Sequence, residues 1–461
     1  MDNFDHYLSP YTWRYASQEM RQIWSELVKR RLWRKIWVAL AETQMEYGLV
    51  TPDQVQDLKN FVDDVDIPLS LQIESEIKHD LMAEVNAYAL QCPVGGGVIH
   101  LGATSMDIED NAEAIRIKQA LELLLSKLKN LLNEFSVKIE EYADLPIMAF
   151  THIQPAEPST LGYRLSNYAQ DLLDDYVSIK NMLDDIKGKG FKGAVGTGAP
   201  YAELVGLENL DEFENKLSER LDLKFYPITT QTYPRKQDYK VLCTLASLGQ
   251  SIYKFAFDVR ILQTPLIGEW GEPFGVKQVG SSAMPFKRNP VQSEKLCSLA
   301  RALSSMPQTA WNNAGHSILE RTLDDSANRR SLLPESFLIC DELIKTTTKI
   351  VRGLRINQET IQKNLVTFAP FAATERVLMA MGKSGSNRQQ VHERLREHAL
   401  TSWQAVQNGQ ANPLKELIRN DPMFNDLSNE KMNDLFDVNC YTGFAPSRSK
   451  EMAANIKQTI L

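Results

Sequence analysis

The sequence predicts an all-α protein of three helical domains, with an elongated bundle of long helices in the middle. Apolar residues recur at helical spacing over long segments, and runs of β-branched or aromatic residues between turn signals are scarce. At 461 residues the chain is longer than one hydrophobic core usually spans. We therefore expect an N-terminal helical domain over residues 1–106, a central bundle over 107–356 and a C-terminal helical domain over 357–461.

The longest predicted helix runs from Glu109 to about Glu141. Leu121, Leu124 and Leu128 show its apolar spacing, and no Gly or Pro interrupts it. Four further segments, all longer than an average helix, are expected to be helical: Thr160 to Lys187, Gln237 to Gln263, Pro290 to about Asn312, and Ser326 to Leu354.

Proline and β-forming residues predict where this helical pattern is interrupted. Pro307 and Pro334 lie inside two of the long segments, so kinks or breaks are expected there. Short strands are expected at Met148 to Thr151 and around Phe225 to Thr229, where β-branched and aromatic residues cluster.

The composition argues against several classes of protein. Lys and Arg number 51 and Asp and Glu 59, and the resulting formal net charge of −8 argues against a nucleic-acid or anionic-membrane partner. It does not exclude a small anionic ligand held by a few Arg and Lys side chains. The five scattered cysteines include no C-x-x-C pair, which argues against a disulfide framework or a structural zinc site. With no signal peptide or membrane-spanning run in the sequence, we expect a soluble, cytoplasmic protein.

Two irregular segments lie in the first part of the chain, and the second of them directly precedes the longest predicted helix. The first is Lys78-His79-Asp80, and the second runs from His100 to Asp107. Thr104 and Ser105 stand where N-cap residues belong. Their hydroxyl groups have two open interpretations: they start the long helix, or they hold a carboxylate or phosphate at its N-terminus.

Two later segments also break the helical pattern. Thr151 to Ala156, directly before a predicted helix, contains His152 beside Gln154; such a histidine is either a hydrogen-bonded structural residue or a proton donor near neutral pH. Gly280 to Pro290 combines small residues, two adjacent serines and the cations Lys287 and Arg288. This composition favours a loop that closes over an anionic substrate rather than an exposed linker.

Two other patterns carry little functional weight. Gly188 to Gly193 matches G-x-G-x-x-G, but it follows a predicted helix, whereas a dinucleotide-binding turn follows a strand. His392 and His398 lie in a polar helical segment whose spacing gives metal ligation little support. No metal or other cofactor is expected.

The Gly280 to Pro290 segment resembles the signature of the fumarase/aspartase superfamily, G-S-S-x-M-P-x-K-x-N-P, whose members eliminate fumarate from succinyl-type substrates. Within that superfamily the chain resembles the adenylosuccinate lyase family over almost its whole length. The motifs that carry this resemblance are Arg14-Tyr15, Lys78-His79-Asp80, His100 to Ser105, Thr151 to Ala156, Gln231-Thr232-Tyr233, and Glu320 to Arg330.

The resemblance implies a reaction and an assembly. Members of this family cleave the C–N bond between fumarate and a purine-pathway amine, converting adenylosuccinate to AMP and the succinylcarboxamide ribotide SAICAR to AICAR, without a cofactor. They are homotetramers in which a central bundle of long helices forms the core and three subunits contribute to each active site.

The resemblance also assigns roles to residues of this chain. Ser281 would be the general base and His152 the general acid, while Lys287 and Asn289 would stabilise the dianionic intermediate. His79 and His100 would orient the substrate and support the acid. The phosphate and ribose would be held by Arg14, Tyr15, Lys78, Asp80, Arg321, Ser326 and Arg330, and the succinyl group by Thr104, Ser105, Gln231 and Ser282.

Two further positions complete the predicted substrate-binding set. Gln154 belongs to it through the His152 motif. Lys295 is a departure, because related enzymes often have Arg there, and Lys lacks the planar fork that binds phosphate with two hydrogen bonds.

The sequence leaves two alternatives to this assignment. Another lyase of the superfamily, acting on argininosuccinate or aspartate, is disfavoured because Arg321 and Arg330 suit a phosphate-bearing substrate. A crystallin-like relative without activity is disfavoured because Ser281, His152 and Lys287, together with Asn289, are all present.

Overall fold

The computed structural model describes residues 4–461 and confirms the all-α prediction. Within those residues the chain forms eighteen α-helices and four short strands. The helices are Pro10–Trp13 (α1), Gln18–Ile23 (α2), Glu26–Glu46 (α3), Pro52–Asn60 (α4), Ile67–Ile77 (α5), Asp80–Gln91 (α6), Ser105–Glu141 (α7), Leu161–Asp185 (α8), Ala199–Val205 (α9), Leu210–Leu221 (α10), Lys236–Leu262 (α11), Val291–Gly315 (α12), Ser326–Arg352 (α13), Gln358–Lys383 (α14), Arg388–Gln407 (α15), Leu414–Arg419 (α16), Asn429–Leu435 (α17) and Ala445–Thr459 (α18).

The five predicted long helices are present as α7, α8, α11, α12 and α13. Of the kinks or breaks expected at Pro307 and Pro334, the breaks were wrong, since α12 and α13 continue past these residues, and the kinks stay a prediction. An interior proline costs a helix about 3 kcal/mol. The neighbouring turns outweigh this cost by burying apolar side chains, among them Leu303 and Ala310 in α12 and Leu333 in α13.

The strands form two small antiparallel pairs. They are Pro146–Thr151 (β1) with Gln154–Thr160 (β2), and Trp270–Gly271 (β3) with Arg355–Ile356 (β4). The first pair confirms the strand predicted up to Thr151. The second predicted strand was wrong, because Phe225 makes only an isolated bridge to Gly188, and Pro227 has no backbone N–H with which to continue a ladder.

The described residues divide into two compact units. The first unit comprises residues 4–128, Asp175–Gln250 and Leu299–Lys345. Its apolar core includes Trp37, Tyr88 and Phe191, all almost fully buried. The division into three domains at residues 106 and 356 stays a prediction.

The second unit comprises Lys129–Asp174, Ser251–Ser298 and Thr346–Leu461. In it the β1–β2 hairpin packs against α14. The Phe255 ring meets Phe135 and Tyr168 edge to face, which joins α7, α11 and α8. A separate apolar cluster around Val377, Leu395 and Leu414 holds the C-terminal helices together.

Candidate active site

A cleft in the first unit brings together several of the predicted phosphate-binding residues. Asp80, Arg321, Ser326 and Arg330 line it, together with Glu109, and its volume is about 140 Å³. We call it the arginine cleft. It lies at the N-terminus of α13, because Ser326 is the first residue of that helix and Arg330 stands one turn later. Backbone N–H groups at a helix N-terminus and guanidinium groups both favour an anionic ligand.

Asp325 connects Arg321 to this helix end. The Asp325 backbone carbonyl accepts a hydrogen bond from the Arg329 N–H, so Asp325 stands at the start of α13. Its carboxylate accepts from Arg321 Nη1 at 2.8 Å and from Arg235 Nε at 2.5 Å. Two guanidinium groups on one buried carboxylate fix the side chain of Arg321 in one orientation.

Arg235 extends the same network to α7. Its Nη1 donates to both carboxylate oxygens of Asp110 at 3.0 Å, and Asp110 also accepts the backbone N–H of Tyr233. Arg235, Asp110 and Asp325 are almost completely buried. Burying a charge is costly unless it is paired and hydrogen-bonded, as these charges are.

A second ion pair, which is partly buried, stands beside it. Arg329 donates to Asp238 at 2.7 Å and to the Tyr233 hydroxyl at 2.9 Å, and that hydroxyl donates to Asp238 at 2.6 Å. Sequence reasoning missed Asp110, Arg235 and the Arg329–Asp238 pair. Their partners lie about ninety or more residues away in the chain, so no local spacing could reveal them.

Arg330 and Asp80 form an exposed pair at the same cleft. Arg330 Nη2 donates to Asp80 Oδ2 at 2.8 Å, and the Arg330 side chain is 60% exposed. Burial opposes ionisation of Asp80, but the hydrogen bond and charge of Arg330 outweigh it and lower the pKa of Asp80. An exposed pair contributes at most about 1 kcal/mol, so a phosphate dianion can displace Asp80 from Arg330.

Glu109 is another cleft residue that sequence reasoning did not select. Burial, helped by the nearby charges of Asp80 and Asp110, raises the pKa of Glu109 to about 8. The side chain is therefore mostly neutral at physiological pH, which keeps the cleft from becoming more acidic. A carboxylic acid at this position can also donate a hydrogen bond.

The Lys78-His79-Asp80 motif forms the sharp connection between α5 and α6. Lys78 ends α5 in the left-handed conformation, with φ of 57°. The exposed His79 caps α6, and its Nδ1 accepts the Met82 N–H at 3.4 Å. The cap places Asp80 at the first position of α6, where Arg330 reaches it.

His100 is held in one tautomer. The Trp37 indole N–H donates to His100 Nδ1 at 3.1 Å, and an indole nitrogen can only donate. The hydrogen of the neutral ring is therefore on Nε2, which remains a donor. Burial and the nearby His79 lower the pKa of His100 and outweigh the opposing effect of Asp107.

The helix start predicted at Thr104 and Ser105 is present. Helix α7 begins at Ser105, and the Thr104 N–H donates to the side chain of Asp107 at 3.0 Å. Gln231 lies elsewhere in this unit, and its N–H donates to the Glu320 carbonyl at 3.2 Å, directly before Arg321.

Within residues 4–461, Arg14 and Tyr15 are not among the residues that line the arginine cleft. The segment after them is fixed to α13, where Ala16 N–H donates to Glu342 at 3.0 Å and Ser17 N–H to Asp341. At 1.5 Å per residue, this attachment lies about 17 Å along α13 from Arg330.

His152 occupies the tip of the β1–β2 hairpin, not the loop-to-helix junction that the sequence suggested. Thr151 pairs with Gln154, which leaves His152 and Ile153 as a two-residue turn with φ of 53° and 59°. Positive φ at both positions defines a type I′ turn, which matches the twist of the strands. A β-branched isoleucine is rare in this conformation, and such strain is concentrated at functional sites. His152 and Gln154 are exposed.

The predicted catalytic loop lies between Glu272 and Arg288 and contains no helix or strand. Ser281 Oγ accepts the backbone N–H groups of Met284 at 3.1 Å and Ala283 at 3.4 Å. Asn289 Nδ2 donates to the Gly280 carbonyl at 3.0 Å, which closes the loop around Ser281. Two amide donors directed at one hydroxyl oxygen would stabilise an alkoxide there.

The other predicted residues of this region differ in exposure. Ser282 and Lys287 are exposed, while Lys295 is half-buried on the second turn of α12. Among the described residues no hydrogen bond joins His152 to Ser281. The structure thus groups Asp80, Arg321 and the other cleft residues, but it does not by itself join the proposed acid to the proposed base.

The two patterns set aside in the sequence have structural partners. Lys189 of the Gly188 to Gly193 segment is buried and forms an ion pair with Asp107, which fixes the segment after α8. His398 Nε2 is 2.7 Å from Asp421. Across residues 4–461 no group of three His, Cys, Asp or Glu side chains is arranged to hold a metal ion.

Comparison with known proteins identifies the family. A family model described as "Lyase" matches residues 17–303, and one described as "Adenylosuccinate lyase C-terminus" matches residues 370–452. The adenylosuccinate lyase of Schizosaccharomyces pombe is 38% identical, covering 98% of this chain and 94% of the relative. The chain belongs to the adenylosuccinate lyase family. A Schistosoma mansoni member is 39% identical, covering 92% of this chain and 89% of that one. As a member of this family, the chain is a lyase.

Solved structures show the same fold. A 3-carboxy-cis,cis-muconate lactonizing enzyme from Pseudomonas putida superposes with a TM-score of 0.86, covering 97% of this chain and 98% of the other at 22% identity. A fumarate lyase from Mesorhizobium sp. BNC1 gives 0.82, with 95% and 98% coverage at 22% identity. In this adenylosuccinate lyase family member, no helix within residues 4–461 is long and apolar enough to cross a membrane.

Proposed function

We propose that the chain eliminates fumarate from adenylosuccinate to give AMP, and from SAICAR to give AICAR, in purine nucleotide biosynthesis. The single observation that carries this proposal is the full-length similarity to adenylosuccinate lyases. The arginine cleft and the Ser281 loop supply groups with the required chemistry. The cleft has guanidinium groups for a nucleotide phosphate, and the loop has a hydroxyl group whose ionised form would be stabilised.

In the proposed reaction, the Ser281 alkoxide removes a proton from the carbon β to the leaving nitrogen. The electrons of that C–H bond form the double bond of fumarate as the C–N bond breaks. His152 donates a proton to the departing nitrogen, which becomes the amine of the product. The Met284 and Ala283 N–H groups stabilise the Ser281 alkoxide, and Lys287 and Asn289 stabilise the negative charge that develops on the substrate carboxylate.

The cleft binds the other end of the substrate. Arg321, held by Asp325, and Arg330, released from Asp80, bind the phosphate beside the N–H groups at the start of α13. We assign the succinyl group to Thr104, Ser105 and Gln231, with Ser282 of the loop. His79 and His100 orient the substrate, the latter through its Nε2 donor. We assign additional substrate contacts to Arg14, Tyr15, Lys78, Gln154 and Lys295.

We also propose that the enzyme is a cytoplasmic homotetramer whose active sites combine residues of three subunits. Large apolar side chains are exposed on the long helices, including Tyr163 on α8, Phe257 on α11 and Trp311 on α12. Exposed apolar surface on long helices is typical of a face that packs against another subunit. Within residues 4–461 of one chain, no hydrogen bond joins His152 to Ser281. Sharing of active sites between subunits would bring His152 of one subunit close to Ser281 of another.

Mixing two inactive variants tests both the reaction and the sharing of sites. Ser281→Ala and His152→Ala are purified separately, unfolded together, refolded together and assayed for fumarate release from adenylosuccinate. If the two residues reach a site from different subunits, about a quarter of the sites in random mixtures regain both residues. Each variant refolded alone is the control, with light scattering to confirm four chains per particle.

Either of two results would refute part of this proposal. Turnover near the wild-type rate in either single variant would remove that residue from the acid/base pair. Inactive variants that form tetramers but give no activity when mixed would place Ser281 and His152 of a site on the same subunit.

A further inference from the structure

The side chain of Gln263 bridges the two ends of the catalytic loop. Gln263 directly follows α11. Its Oε1 accepts the backbone N–H of Glu272 at 2.8 Å, and its Nε2 donates to the backbone carbonyl of Arg288 at 2.8 Å. Glu272 and Arg288 flank the segment 273–287, which contains Ser281 and Lys287. One primary amide thus joins Glu272 to Arg288 across the neck of the loop.

The entry side of this neck is firmly fixed. The Glu272 carboxylate is almost fully buried and accepts the Gln292 and Ser293 N–H groups at the start of α12. The Glu272 carbonyl accepts from Arg355 Nε at 2.7 Å. Gln263 itself continues the backbone hydrogen bonding of α11 through its N–H to the Val259 carbonyl.

The exit side is held at two places: the Glu272 carboxylate binds the start of α12, and Gln263 binds the chain nearer the loop, at Arg288. Arg288 is exposed, and its carbonyl is held by the Gln263 amide, while the adjoining Asn289 side chain bonds within the loop to Gly280. A primary amide is suited to this position because it offers a donor and an acceptor on one short, planar group. A carboxylate could accept from Glu272 but could not donate to Arg288, and an aliphatic side chain could do neither.

We infer that Gln263 is a positioning residue that holds the ends of the catalytic loop together and thereby sets the positions of Ser281 and Lys287. This inference rests on the proposed function, because it takes the loop to be the catalytic element. Gln263 touches neither group directly. Its effect is exerted through the backbone at Glu272 and Arg288, so it should alter turnover much more than binding of the nucleotide phosphate in the arginine cleft.

The test compares Gln263→Leu and Gln263→Glu with the wild-type enzyme. Gln56→Leu, at an exposed glutamine of α4, is the matched control for placing leucine on the surface. Three quantities are measured on the assembled protein: kcat for fumarate release, the dissociation constant of AMP, and the initial rate of tryptic cleavage after Lys287 and Arg288. Trypsin needs a mobile segment, so the cleavage rate reports on the neck without reference to activity.

Loss of two hydrogen bonds predicts that Gln263→Leu lowers kcat and accelerates tryptic cleavage by about tenfold or more, with an intermediate effect for Gln263→Glu. The AMP dissociation constant and the melting temperature should stay close to wild type. Unchanged cleavage in both variants, or equal losses of kcat and AMP affinity, would overturn the inference.

If Gln263→Leu fails to fold, Gln263→Glu decides between the same outcomes. Failure of the proposed function is distinguishable from failure of this inference. If the proposed function is wrong, Ser281→Ala will retain turnover. The tryptic cleavage rates will still show whether Gln263 holds the ends of the loop together.

Discussion

The arginine cleft and the catalytic loop are built in opposite ways. The cleft rests on Arg235, Asp110 and Asp325, which are almost fully buried, and Asp325 in turn holds Arg321. The loop is exposed over most of residues 282–288, and internal backbone bonds and the Gln263 bridge hold it. The cleft is therefore rigid before substrate arrives, whereas the loop can move with little loss of stability.

Under the proposed function, this difference would separate binding from chemistry. A preformed cleft binds a phosphate without losing affinity to reorganisation. A loop that closes after binding can exclude water and place Ser281 and Lys287 only when substrate is present. Substitutions in the cleft network should therefore change stability and affinity, and substitutions in the loop should change turnover alone.

The largest expected effect is on the stability of the cleft. Arg235→Met leaves Asp110 buried without its cation, and breaking a buried pair in this way costs about 3 to 5 kcal/mol in the free energy of unfolding. Urea denaturation followed by circular dichroism measures it. Arg396→Met is the matched control, because Arg396 pairs with Glu393 on the exposed surface and its loss should cost less than about 1 kcal/mol. Equal effects of the two substitutions would contradict the distinction between a rigid cleft and a solvated surface.

Lys287→Met should act on turnover without acting on stability. Loss of one stabilising cation at the reacting centre lowers kcat by about a hundredfold to a thousandfold. The exposed side chain contributes little to folding, so the denaturation midpoint should not move. Lys277→Met, at an exposed lysine in the same loop, is the control and should keep wild-type kcat. If Lys287→Met lowers the denaturation midpoint as well as kcat, the role of Lys287 is not purely catalytic.

The last expected effect concerns pH and Glu109. The pKa of this group rises from 4.5 to about 8 in the folded protein, so its contribution to stability is fully present below 4.5 and is lost as pH rises through about 8. Glu109→Gln lacks this loss and should be more stable than wild type at alkaline pH, with the difference vanishing near pH 4.5.

The same ionisation should weaken phosphate binding. Above pH 8 the wild-type AMP dissociation constant should rise by about three- to tenfold relative to Glu109→Gln, because the ionised carboxylate repels the phosphate. Titration calorimetry of both proteins across this range provides the measurement. If the AMP dissociation constants of the two proteins change with pH in the same way, Glu109 does not titrate in the cleft.

The sequence was a good guide to the fold where the physics is local. Apolar periodicity predicts α7, α8, α11, α12 and α13, because each helix buries a stripe of its own side chains. It predicts breaks at Pro307 and Pro334 wrongly, because the tertiary packing that outweighs a missing hydrogen bond is not visible in a short window. The strand near Phe225 was predicted wrongly for a local reason, because Pro227 has no backbone N–H with which to continue a ladder.

The candidate site was predictable only in its motif residues. Ser281, Lys287 and Arg330 stand in recognisable strings, and spacing at a helix start points to Thr104. Arg235, Asp110 and Gln263 could not be found in this way, because each acts through a partner that only the folded chain brings near. The strained turn at His152 and Ile153 likewise depends on the pairing of β1 with β2.

The separation of binding from chemistry is tested most directly by measuring fumarate release and AMP binding on the same preparation of Ser281→Ala. Removal of a general base predicts that fumarate release from adenylosuccinate falls by about a thousandfold, within the range usual for such groups. The AMP dissociation constant should stay within about twofold of wild type, because the arginine cleft is unchanged. Turnover near the wild-type rate, or AMP affinity lost in proportion to turnover, would contradict the account.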